Sequence, residues 1–115
     1  MIIENEYGKI DISSDVLAGI VSIAAGNCYG VRGMAHRNKS DGIVQLLKRE
    51  SYRKGINIEI ADGLVNIELH IVVRHGINIA VIGVSIISNV RYNVEEMAGV
   101  TVGRVDVFVD SITAD

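Results

Sequence analysis

At 115 residues the chain is long enough for one domain with a single core, which should bury roughly two-thirds of the surface its unfolded chain exposes. Its 49% hydrophobic and 22% charged residues match a folded soluble protein, and with one Phe and no Trp the core falls to Ile, Val and Leu. A net charge of -3 excludes a chain that seeks polyanions as a whole, and a single cysteine excludes an intrachain disulfide and a cysteine-pair zinc site.

The start MIIENEYGK lacks the basic and long apolar regions of a secretory signal, and no segment offers the roughly 20 unbroken apolar residues of a membrane span. The cytoplasm is the expected address. YGKIDIS, residues 7–13, alternates Ile10 and Ile12 with Lys9 and Asp11 and reads as a strand. It runs into a helix. Ser13 or Ser14 supplies the cap, Asp15 suits the positive end, and Val16, Ile20, Ile23 and Ala24 recur at helical spacing until Gly26 and Gly30. A second, shorter helix is predicted from Asp41 to about Arg49 on the face Ile43, Leu46 and Leu47.

GINIEIADGLVNIELHIVV places Ile56, Ile58 and Ile60 on one face and then Val65, Ile67, Leu69, Ile71 and Val73 on one face, with Asp62-Gly63 between the runs. Asp-Gly suits the positive φ angles of a two-residue hairpin turn, so these residues predict an antiparallel hairpin whose other face, with Asn57, Glu59, Asn66, Glu68 and His70, is partly wet. A long helix follows from Asn78 to about Ala98, carrying the stripe Ile79, Ile82, Ile86, Val90, Val94 and Met97, with Gly99 as its stop. The last strand, GRVDVFVDSI, sets Val105, Val107 and Val109 against Arg104, Asp106, Phe108 and Asp110. The expectation is an α+β single domain over residues 1–115, ordered strand-helix-helix-strand-strand-helix-strand, with one mostly antiparallel sheet and helices packed on it.

Two features exceed what a monomer needs: Val81, Val84 and Ile87 lie beside the long helix's main stripe, and Phe108 sits on the polar side of the last strand. These four residues form the candidate interaction surface. Catalytic chemistry finds no motif. Cys28 reads as a small buried hydrophobe at a helix end, because a nucleophilic thiol needs an activating partner and His36 is tied to it by no defined geometry. His70 and His75 lack the spacing of a zinc helix, and Asp106 and Asp110 need no role beyond a solvated strand face. No catalytic residue, cofactor or metal is assigned.

NCYGVRGMAHR, residues 27–37, carries the remaining candidate. If Gly30, Arg32 and Gly33 join two helices, the G-x-x-G with His36 and Arg37 is placed as in a KH domain, where such a loop clamps a nucleic-acid backbone. A KH-like RNA-binding module is therefore the alternative reading. Against it stand the acidic total, the scarcity of aromatics and the ordinary use of glycines in ending helices.

Nearly the whole chain resembles the alkaline shock, or envelope stress response, proteins of Gram-positive bacteria. The likeness is carried by YGKIDISSDVLAGIVSIAAGNCYGVRGM, by GINIEIADGLVNIELHIVVRHGINI and by NVRYNVEEMAGVTVGRVDVFVDSI. Where relatives commonly place a proline after R-x-G-x-N-I, this chain has Ala80. The resemblance implies a small cytoplasmic non-enzyme of the cell envelope that self-associates or is held at the inner membrane face by a membrane-anchored protein partner. It implies no catalytic set and no cofactor.

Overall fold

The computed structural model describes residues 1–37, 44–46 and 55–114. Chain order is β1 (Ile2–Asn5), β2 (Gly8–Asp11), α1 (Ser14–Gly26), β3 (Val31–Arg37), β4 (Val44–Leu46), β5 (Ile56–Ala61), β6 (Leu64–Arg74), α2 (Ile79–Ala98) and β7 (Thr101–Thr113). The α+β class holds, with a sheet that is antiparallel except where β7 runs parallel to β6.

β6 is the centre of the sheet. One edge is taken along its whole length by β7, while β5 pairs with its first half and β3 with its second half on the other edge; β4 then pairs with β3. Val65, Ile67, Leu69, Ile71 and Val73 of β6 all point to the helix-covered face and are buried. Alternation at period two makes this inevitable once one face is covered. Each such side chain contributes about 1.5–3 kcal/mol by leaving water. The β5–β6 hairpin closes as its sequence predicts, with Asp62 at φ 54° and Gly63 at φ 76°.

The two helices lie side by side on that face, α1 against β3 and β5, α2 against β7 and against α1. Ser13 caps α1 by accepting from the Val16 N–H at 3.2 Å, and Asn78 caps α2 by accepting from Val81 at 3.2 Å. Gly99, at φ 71°, ends α2 with its N–H on the Glu95 carbonyl. The apolar face of α1 differs from the one its spacing predicts: Leu17, Ala18, Val21, Ala24 and Ala25 are buried, whereas Val16 and Ile23 are exposed. The helix is apolar nearly all round, so periodicity alone does not orient it. Close approach to α2 and the sheet selects the side with three alanines. In α2 the middle of the predicted stripe, Ile86, Val90 and Val94, is buried, while Met97 at its end is exposed.

Three further expectations are corrected. The opening strand is the second arm of a hairpin, β1–β2, turned at Glu6-Tyr7 with the Asn5 side chain accepting from the Tyr7 N–H at 2.8 Å, and Ile10 faces solvent. The predicted helix over Asp41–Arg49 has strand β4 in its middle, and its remaining residues lie outside those described. GVRG does not link two helices, because Val31–Arg37 is a strand: Val31, Gly33 and Met34 pair with β6, and Ala35, His36 and Arg37 pair with β4.

Two bulges shape β7. Val65 pairs with Val102 but Asn66 with Arg104, and Ile71 pairs with Val109 but Val72 with Ser111, so Gly103 and Asp110 are extra residues. A Cβ added at Gly103 would meet Asn66 Oδ1 at 2.6 Å and Leu64 Cβ at 3.2 Å, so the Asn66 side chain would have to swing aside and Leu64 to give way by a few tenths of an ångström. α2 grips this bulge: Arg91 donates to the carbonyls of Val102 (2.7 Å) and Gly103 (3.3 Å), and Glu95 accepts from the Val102 N–H at 3.0 Å.

Leu69→Ala, at the centre of the core, is expected to cost about 2–5 kcal/mol. Gly30 adopts φ 90° and a Cβ there would meet Ile77 Cδ1 at 2.7 Å, so Gly30→Ala is expected to cost about 1–2 kcal/mol while Gly26→Ala, in open space, is near neutral. Urea unfolding of the three variants checks both; equal midpoints for the two glycine variants refute the second.

A candidate docking groove beside the last strand

The free side of β7 faces a groove of about 560 Å³ walled by α2. Ile79, Ala80, Gly83, Val84 and Ile87 line the helix side, and residues from Arg104 to Val109 line the strand side. Positions 79, 80, 83, 84 and 87 follow helical spacing, offset from the buried stripe Ile86, Val90 and Val94. Ala80 and Gly83 carry little bulk. The groove consequently reaches the strand instead of being filled by the helix's own side chains.

Of the predicted interaction residues, Val84 and Ile87 line the helix wall of this groove, and Phe108 belongs to the strand that forms its other side. Val81 lies outside its lining, on the solvent side of α2, 61% exposed beside Val84 at 66%. Ile79, Ala80 and Gly83 were missed by sequence reasoning; a second apolar stripe at the same spacing, with small residues in it, is the signal that marks them.

Phe108 turns to the outer sheet face and stacks on His70, with ring centroids 4.9 Å apart and planes 14° off parallel. His70 Nδ1 lies 2.8 Å from Asp110 Oδ2 and its Nε2 lies 3.8 Å from Glu68, which in turn accepts from Asn57 Nδ2 at 2.8 Å. Arg104 Nε donates to both carboxylate oxygens of Asp106, at 3.0 and 3.2 Å. The outer face expected to be partly wet thus carries two polar clusters, Asn57–Glu68–His70–Asp110 and Arg104–Asp106, with Phe108 stacked on the first.

The other sequence candidates fall elsewhere. Cys28 is buried beneath the α1–α2 contact, where its Sγ donates to the Ala24 carbonyl at 3.5 Å and receives Asn89 Nδ2 at 3.1 Å. That environment makes it a packing residue. Gly30 is a buried turn residue whose carbonyl accepts from the Arg74 N–H at 2.8 Å, Arg32 is the extra residue of a bulge in β3, and Gly33 is buried opposite Val72. His36 and Arg37 continue the same strand. The five residues do not form a loop between helices, which removes the geometry that the KH reading required. Among the described residues no cluster of His, Cys, Asp and Glu is arranged to hold a metal ion, and no helix is long and apolar enough to cross a membrane.

Residues 2–114 match the model of the alkaline shock protein 23 family, described as having a cell envelope-related function. The chain is 31% identical to YloU of Bacillus subtilis over 96% of its own length and 92% of that protein's, and 32% identical to Spy1614 of Streptococcus pyogenes over the same shares. It is 26% identical to YqhY of Bacillus subtilis over 97% of its own length and 82% of that protein's. No solved structure matches.

Phe108→Ala is expected to lower stability by about 1 kcal/mol through loss of the ring on His70. Val81→Ala, on the exposed side of α2, is expected to stay within about 0.5 kcal/mol of the parent. Paired urea titrations distinguish them, and an unchanged midpoint for the first variant refutes the stacking contribution.

Proposed function

Since this chain belongs to the alkaline shock protein 23 family, which is non-enzymatic and cell envelope-related, we propose that it acts by protein–protein association at the cytoplasmic side of the membrane. In this reading it is one interaction domain that is brought to the inner membrane face by a membrane-anchored protein and contributes to envelope homeostasis or stress response. The observation that carries it is the groove between α2 and β7. Its apolar wall of Ile79, Val84 and Ile87 continues onto exposed Val81, while Phe108 marks the far side of the strand. A contiguous apolar strip of this kind, rimmed by Arg104 and Asp106, has the composition of a docking surface: apolar at its centre and charged at its edge.

The association is tested by Val84→Asp, which places a charge on the groove wall without touching the buried stripe. Captured under mild crosslinking from its native cell, the parent chain is expected to bring down an envelope protein and to appear in the membrane fraction. The variant should lose at least tenfold of that capture, about 1.4 kcal/mol, while keeping its circular dichroism spectrum. A partner profile and a membrane fraction unchanged by Val84→Asp overturn the assignment of this face.

A further inference from the structure

We propose that β7 is a self-pairing edge: two copies of this chain join β7 to β7′ antiparallel about a dyad at Val107, so that the sheet continues across the interface. This rests on the reading of the groove as a protein-docking surface and names its occupant.

β7 spans 13 residues, and among the described residues β6 is its only strand partner. Every second residue of such a strand aims its N–H and C=O away from its neighbour, here into the groove. Edges are commonly blunted by shortness, by proline or by lysine. β7 contains neither residue; its charges are of both signs, and its two bulges, which also blunt an edge, leave Arg104–Val109 between them in unbroken register with Asn66–Ile71.

The strand is complementary to itself in one register. Val107 is the midpoint of Thr101–Thr113, so a dyad there pairs the whole strand. It sets Val105 opposite Val109′ on the helix-covered face and Arg104 opposite Asp110′ on the outer face. Because each bulge shifts the alternation by one residue, this register also keeps Val102 opposite Ile112′, both on the helix side. Neighbouring registers fail on charge and on face. A dyad at Asp106 opposes that carboxylate to its own copy and sets Val102 against Asp110′; one at Phe108 opposes Asp106 to Asp110′. A dyad at Val105 sets Val102 against Phe108′ and leaves Asp110–Thr113 unpaired. Length, face and charge select the same arrangement. Arg104, 75% exposed, would exchange its ion pair with Asp106 for the carboxylate of Asp110 across the dyad, which is 14% exposed and held by His70 through one oxygen. Above the joined strands the exposed Val84 flanks of the two α2 helices approach each other.

Charge exchange tests the register. Arg104→Glu and Asp110→Lys each place like charges across the dyad, so each alone should weaken dimerisation at least tenfold in sedimentation equilibrium. Mixed one to one they should recover to within a few-fold of the parent, because each new charge then meets its opposite. Asp110→Lys also removes the partner of His70, so a second measurement leaves the charges intact. Nitroxides on Thr101→Cys and on Thr113→Cys, with Cys28 buried, should report equal interspin distances of about 40 Å, six residues either side of the dyad at ~3.3 Å each. Unequal distances, or no recovery on mixing of folded variants, overturn the register. A chain monomeric at millimolar concentration overturns self-pairing altogether; if Val84→Asp still abolishes capture of another protein, the docking groove stands and its occupant is that protein.

Discussion

The inner face of β6 is the constraint on which the rest of the molecule depends. Five branched or aliphatic side chains at alternate positions must all leave water together, and because β6 is flanked along both edges they cannot rotate away. Covering that strip needs more width than one helix supplies. Two helices therefore share it, and each is left with a flank that the sheet does not reach. On α1 that flank exposes Ile23 toward α2's Met97; on α2 it exposes Val84 over the rim of β7. The groove is thus a geometric remainder of closing the core. Its chemistry depends on which residues α2 presents there, and Ala80 and Gly83 keep it open.

The elements read correctly from the amino-acid sequence are those in which pattern and punctuation agree. Asp62-Gly63 between two alternating runs, Asn78 and Gly99 at the ends of a helical period, and the valines of β7 leave few alternatives. The failures have physical causes too. α1 has apolar residues around most of its circumference, so its buried side is decided by where small residues allow close packing, which is tertiary information. The glycines at positions 30 and 33 are compatible with either a helix-to-helix loop or a turn entering a strand. Pairing with β6 chooses the strand, and pairing is invisible along the chain. Ile2–Asn5 is too short and too irregular in alternation to declare itself before its partner β2 is known.

The candidate site was legible in part for a related reason. Val81, Val84 and Ile87 stand out as more apolar surface than one buried stripe consumes, and Phe108 stands out by sitting among charges. That these features meet at one strand edge depends on β7 pairing parallel to β6 beneath α2. An inventory of residues suggests the apolar excess; only the topology turns part of it into a groove and leaves Val81 beyond its lip. The same topology takes Gly30 and Gly33 out of contention by burying them.

The two extra residues of β7 shift the numbering of its alternation and not its faces. Gly103 moves the strand's alternation by one position and Asp110 moves it back, so Val102 and Ile112, although even-numbered, face the same way as odd-numbered Val105, Val107 and Val109. Each extra residue lacks a partner on β6, so loss of either one alone would leave every other pair in place and only straighten the strand at that point. Loss of both would leave an ordinary straight strand. The length of β7 is accordingly adjustable one residue at a time at these two positions, without turning a valine from the helices to water.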